Sequence, residues 1–177
     1  HVNPAGNADI TARAFSGRTA KKVYWALIVG VPSIEDGTID LPIGKQPGSG
    51  GEKMHVDEEN GSPARSRYRV IERAGNRAAW VELQPFTGRT HQLRVHMAAI
   101  GHPIVGDPKY FDVENWEWPG GIQNRLHLLA RRIVIPHPRT GKPVDVTAPL
   151  PPHMAQSWNL LGFDAARYDP IVEAPEG

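Results

Sequence analysis

The feature that most constrains this chain is a strand–break–strand pattern in its middle. RYRVIE at 67–72 alternates apolar and polar residues, AGN at 74–76 supplies turn residues, and AAWVELQP at 78–85 runs back. Alternation at period two puts successive side chains on opposite faces, and so short a break leaves the returning strand antiparallel to the first. The pattern recurs where RRIVIP and PVDVTAP flank HPRTGK, with the loop around Thr140 and Gly141. KVYWALIVG at 22–30 is an apolar, β-branched and aromatic run ending at Gly30, which predicts a buried strand. Helical spacing is confined to 8–19, to 91–100, and to PPHMAQSWNLLGF, where Met154, Trp158 and Leu161 share a face with Pro at the start and Gly162 past the stop. Between Pro32 and Pro63 the composition turns to Gly, Pro, Lys and Glu, with GKQPGSGGEK the clearest loop. Strands grouped in hairpins with few helices predict an α+β fold, a mostly antiparallel mixed sheet flanked by helices and loops, and not a doubly wound one.

A chain of 177 residues, 40% hydrophobic and 22% charged, can bury one core and is not of disordered composition. No apolar run approaches eighteen residues, which argues against a membrane span. The absence of cysteine excludes disulfides and thiolate zinc sites, and the cytoplasm is the expected compartment. The first residues, HVNP, carry neither Met nor the marks of a secretory signal, so residue 1 is not read as the natural start. Net charge is only +1, but the basic residues group at Arg13/Arg18/Lys21/Lys22, at Arg65/Arg67/Arg69 and at Arg125/Arg131/Arg132/Arg139/Lys142. Such groups suit either a polyanionic partner or plain solubility.

The chemistry concentrates in TGRTHQLRVHMAAIGHPIVGDPKY, residues 87–110. Thr90 is a suitable N-cap. Leu93, His96, Met97 and Ile100 recur as the apolar stripe of a helix over 91–100, which Gly101 and Pro103 end. His91, His96 and His102 do not share the three- or four-residue spacing of two ligands on one helix face, and no HExxH occurs. GxxxxGK[ST] and GxSxG are absent as well, which removes phosphate-loop hydrolysis and a serine nucleophile elbow. Arg94 lies about a quarter turn from the Leu93/Met97 stripe, where it can pair with a carboxylate in a half-dry cleft or make a surface salt bridge. Arg89 and His91 sit where free helix N–H groups favour anions. Tyr24 is either an ordinary strand aromatic or part of a site, and the residues alone leave both open.

The long motif closely resembles the signature of the RluA-type pseudouridine synthases. AFSGRTAKKVYWALIVG, GSPARSRYRVIE and RLHLLARRIVIPHPRTGKP resemble further segments of that family in the same order, covering about 8 to 153. The resemblance implies isomerisation of uridine to pseudouridine in RNA, ribosomal RNA of the large subunit first and transfer RNA as the alternative, with no metal and no cofactor. It makes Tyr24 the active-site tyrosine that packs against the base, and Arg94 the arginine that pairs with the catalytic Asp. Arg89, Thr90, His91 and Gln92, with Lys22, become the expected RNA contacts. Two departures stand out. The family's Leu-His-Ala histidine falls at Leu129, with His127 two places earlier, so that imidazole is expected to be structural or RNA-facing. The family's nucleophile sits in a His-Arg-Leu-Asp segment that falls before residue 1, and Asp9 lacks the flanking residues. The chain is therefore expected to be one N-terminally truncated catalytic domain over 1–177 with a flexible tail from 164 to 177. It should be inactive alone and prone to self-association through exposed sheet edges. A non-catalytic RNA-binding protein on the same scaffold is the competing reading.

Overall fold

The computed structural model describes residues 2–4, 20–49, 53–111, 116 and 118–168. The helix expected over 8–19, Asp9, and the tail from residue 169 onward lie outside them. The strands are β1 (Val2–Pro4), β2 (Lys21–Val29), β3 (Asp36–Asp40), β4 (Ile43–Lys45), β5 (Met54–Val56), β6 (Arg65–Ala74), β7 (Ala78–Pro85), β8 (Leu128–Pro136) and β9 (Pro143–Thr147). The helices are α1 (Gln92–Ala99) and α2 (Pro152–Leu161). Seven strands form one sheet in the order β1-β3-β6-β7-β2-β8-β9, antiparallel at every described pairing, and β4 and β5 form a separate hairpin.

β2 and β7 occupy the middle of the sheet and are buried on both faces, which is why their sequences read as nearly continuous apolar runs. On one face Ala26, Ile28, Ala79, Val81 and Leu83 pack with Leu93 and Met97 of α1. On the other, Trp25, Leu27, Ala78 and Trp80 pack with Met154 and Trp158 of α2 and with Phe163. Trp80 anchors this second core, its ring 4.7 Å from Trp25 and 5.5 Å from Trp158. The two faces thus separate a layer carrying α1 from a layer carrying α2. A smaller cluster of Ile43, Met54, Ala64, Val95 and Tyr110 ties the β4–β5 hairpin to α1.

The ladder from β2 to β8 slips by one residue: Val23 opposes Arg132 and Tyr24 opposes Ala130, which leaves Arg131 surplus. This is a bulge, and Arg131 lays its guanidinium 4.1 Å from the centre of the Trp25 ring.

The predicted strand at 22–30, both hairpins and both helices are present, and Gly162 closes α2 with φ 77°. Two expectations are corrected. The segment from Pro32 to Pro63 contains β3, β4 and β5 around its loop. The stretch 164–168, expected to be tail, is docked: Asp164 caps a short 3₁₀ turn, and Tyr168 packs edge-on 5.1 Å from Trp80 and donates to Glu72 at 3.2 Å. Within the basic groups, Arg67 pairs with Asp36, Arg69 with Glu82 and Arg132 with Asp145. Among the described residues no helix is long and apolar enough to cross a membrane.

Candidate active site

Period two on β2 carries Lys22 and Tyr24 to the face that also holds Ala26 and Ile28. Beyond the apolar part of that face the sheet opens into a cavity of about 510 Å³. Lys22, Tyr24 and Leu128 line one side; the segment Pro85–Arg89 and His91, Gln92, Leu93 and Arg94 line the other. Strand and helix meet here because β7 ends at Pro85, after which a short loop carries the chain into α1. The cavity therefore brings together six of the seven expected site residues. Thr90 is exposed and is not among those lining it.

The lip of the cavity is fixed from below by Gln92. Its Oε1 accepts from Thr87 Oγ1 at 2.7 Å and from the Arg89 amide at 3.1 Å. Its Nε2 donates to the Arg65 carbonyl at 2.7 Å and to Ser66 Oγ at 2.9 Å. Gln92 is 4% exposed. It is corrected from an RNA contact to an internal brace, because all its amide capacity faces protein. Behind it, the Ser66 hydroxyl donates to His96 Nδ1 at 2.8 Å while His96 Nε2–H donates to the Leu41 carbonyl at 2.8 Å. Burial holds the His96 pKa below its ordinary value, so this imidazole is neutral.

Thr90 does not cap α1. The N-cap residue is His91, in the left-handed region with φ 55°, and no side chain caps the helix. Composition permits a Thr cap, but the loop needs a sharp reversal one residue later, and the bonds of Gln92 to Thr87 and Arg89 already secure it.

Arg94 already holds one carboxylate from behind the cavity. Its Nε donates to Asp107 Oδ2 at 2.9 Å and its Nη2 to Asp107 Oδ1 at 2.7 Å, a two-pronged pair. Asp107 Oδ1 also accepts the amides of Lys109 at 2.9 Å and Tyr110 at 3.2 Å. Burial pushes the Asp107 carboxyl up, but these bonds outweigh it and hold the group below the usual carboxylate range. The Asp107 side chain is fully buried and that of Arg94 is 13% exposed, so the arginine faces the cavity and the aspartate stands behind it. Held on both oxygens, Asp107 orients the guanidinium from behind and does not line the cavity itself. The Tyr110 ring supports the same group, its centre 5.1 Å from Arg94 Cζ.

Lys22 and Arg89 have no carboxylate partner among the described residues, and Arg89 Nε donates to the Pro63 carbonyl at 2.9 Å. Positive charge at the cavity is therefore available to an anion, and no carboxylate lines it among the described residues. No three His, Asp or Glu converge as a metal would need among those residues. His127 lies on the far side of the sheet, fully buried, with Nδ1 2.6 Å from the Arg125 carbonyl and Nε2 2.7 Å from Ser157 Oγ. Of its two expected roles it takes the structural one. Sequence reasoning missed Thr87, Asp107 and Tyr110. The GDPKY segment showed only a turn, and nothing local says that its Asp reaches back thirteen residues to Arg94.

Comparison with known proteins shows the family. A family model described as RNA pseudouridylate synthase matches residues 6–99. The chain is 43% identical over 141 residues to the dual-specificity RNA pseudouridine synthase RluA of Escherichia coli, covering 77% of this chain and 60% of that protein. It is 38% identical over 141 residues to an uncharacterized RNA pseudouridine synthase of Synechocystis, covering 77% of this chain and 41% of that protein. The chain thus spans about two-fifths to three-fifths of the length of these relatives. Among solved structures it is similar to human RNA pseudouridylate synthase domain containing 4, with a TM-score of 0.64 and 29% identity over 88% of this chain and 69% of that one.

Proposed function

The chain belongs to the RNA pseudouridylate synthase family, and from that premise we propose that its cavity receives a uridine of RNA, ribosomal RNA first, for isomerisation to pseudouridine in the cytoplasm. The observation that carries this reading is the meeting of Tyr24, Arg94, Lys22 and Arg89 around one open cavity. A base must leave its stack to enter such a space, and an aromatic wall offers it a new one. Tyr24 is that wall. Lys22 and Arg89 hold phosphate oxygens at the mouth, a role that positions RNA without reading sequence. Arg94, already braced by Asp107, orients the carboxylate that attacks or supports the ribose while the uracil detaches, turns and rejoins through carbon. That carboxylate is not among the described cavity residues, and no cofactor is needed for the exchange.

The test is direct. The chain is expected to bind ribosomal transcripts and transfer RNA with an affinity that falls as salt rises, and to form no pseudouridine alone. Lys22→Ala and Arg89→Ala should each flatten the log-affinity against log-salt slope by about 1. Turnover by the chain alone overturns the expectation of inactivity, and salt-insensitive binding overturns the account of the mouth. In any longer form of the protein that turns over, Arg94→Ala should abolish turnover and leave RNA affinity nearly intact. β9 is an outer strand of the sheet, with Val146 60% exposed and Ile135 of its partner strand 40% exposed, which supports self-association at high concentration. Light scattering that shows a clean monomer throughout counts against that.

A further inference from the structure

His91 is the one described non-glycine residue with positive φ, at 55°, and it lines the cavity. That backbone conformation is costly for a residue with a β-carbon, and asparagine or glycine would suit it better. What holds the imidazole is Tyr110, whose Oη lies 2.8 Å from His91 Nδ1. The same Oη accepts the Met54 amide at 3.0 Å. A phenol has one proton to give. With the Met54 N–H pointing at the oxygen, that proton goes to His91 Nδ1. In the reverse arrangement, Nδ1–H would donate to Oη, and the phenolic proton of a residue 7% exposed would be left without an acceptor. Nδ1 therefore accepts, and the ring proton sits on Nε2. Nε2 has no hydrogen-bond partner among the described residues. Burial first, then the neighbouring Arg94 and Lys109, keep the His91 pKa below its ordinary value.

We propose that Tyr110 locks His91 in the Nε2–H tautomer, so that His91 serves the cavity as a hydrogen-bond donor to an oxygen of the bound nucleotide. Tyr110 is then a positioning residue for two groups at once, since its hydroxyl sets the His91 proton and its ring lies against Arg94. The inference rests on the reading of the cavity as a nucleotide site. It adds a directional, uncharged donor to a site whose charged groups, Lys22, Arg89 and Arg94, are all cations. A cation attracts any phosphate from any side, whereas an N–H bond fixed in a ring rewards one direction of approach. Where the oxygen sits, on the base or on the ribose-phosphate chain, is decided by the probe.

Nitrogen NMR of the imidazoles in the free chain near neutral pH should show His91 protonated on Nε2 alone, and Tyr110→Phe should turn that signal into a tautomer mixture while keeping the ring beside Arg94. His91→Asn and His91→Gly suit the left-handed backbone and should melt no lower than wild type. Both should bind a short oligouridylate about 5- to 10-fold more weakly, the usual worth of one hydrogen bond. If the loss disappears with an abasic ribose-phosphate oligomer, the acceptor is on the base; if it persists, on the backbone. An Nδ1–H tautomer in the wild type, or unchanged oligouridylate affinity in both variants, overturns the proposal. A wild-type chain with no affinity for RNA overturns the nucleotide assignment of the cavity, a failure distinguishable because the tautomer is read without RNA.

Discussion

Gln92, Ser66 and His96 form a directed chain in which each donor has one acceptor, ending on the Leu41 carbonyl. Such buried networks are costly when half satisfied and rigid when complete, so the lip above them is held by the interior and not by solvent. His127 shows the same logic on the other face, with a pKa pushed down to about 4 by burial. In the unfolded chain the ring has its ordinary value of about 6.5, so the unfolded state takes up a proton that the native state refuses. Stability is therefore full above about pH 6.5 and is lost as pH falls toward about 4, by roughly 3 kcal/mol at most for this group. His96, lowered for the same first reason, acts in the same direction. Urea midpoints measured from pH 7.5 down to pH 4.5 should fall steadily, and a flat profile over that window would show that these imidazoles are protonated inside the fold. Strand period and helix phase place Tyr24 and Arg94 at the edge of the core, but only the family resemblance marked them as site residues. Asp107 and Tyr110 were not legible in the sequence, since their partners lie on another element.

The elements that the sequence announces are those long enough to show a period. β2, β6, β7 and α2 span eight to ten residues each; β6 alternates at its start and α2 buries one face, while β2 and β7, buried on both faces, show as apolar runs. β3, β4 and β5 span only three to five residues and include Gly37 and Gly44, so no period could develop. They exist because neighbouring strands supply hydrogen bonds, a tertiary cause invisible in a short window. The turn after α1 shows how an element end can be fixed by close approach. Gly106 has φ 77°, and a β-carbon there would lie 1.9 Å from the Arg125 carbonyl oxygen. Gly162 also has φ 77° but meets nothing within 4 Å. Gly162→Ala should thus cost about 1 kcal/mol, from backbone conformation alone. Gly106→Ala must displace backbone and should cost about 3 kcal/mol or more. It should also move Asp107 off Arg94. Denaturant titrations of the two variants give the comparison, and equal losses would mean that the turn yields easily.

At the level of the whole molecule, one sheet separates a working layer from a supporting one. The cavity, α1 and the Arg94–Asp107 pair lie on one side; α2 and the tryptophan cluster lie on the other. Trp158 is 2% exposed, and Trp158→Ala should cost about 3–5 kcal/mol by leaving a void. Below its lowered melting point the variant should bind RNA as wild type does, because β2 and β7 stand between the void and the site. A matching loss of affinity in the cold would show that the layers are coupled. The surplus residue Arg131 sets the parity of this two-sided sheet. In a regular ladder, odd and even positions serve opposite faces, and removing any residue sends everything beyond it to the wrong one. At Arg131 the count is already offset: two consecutive positions oppose one step of β2, and Arg132 still faces Val23. Deleting Arg131 restores a regular ladder and leaves β9 facing as before. Deleting Ala130 does the same, since Arg131 then stands opposite Tyr24 and Arg132 still faces Val23. The described sheet thus contains two such steps, at Arg131 and at Ile71 between β6 and β7, where its length can change by one without exchanging its two sides.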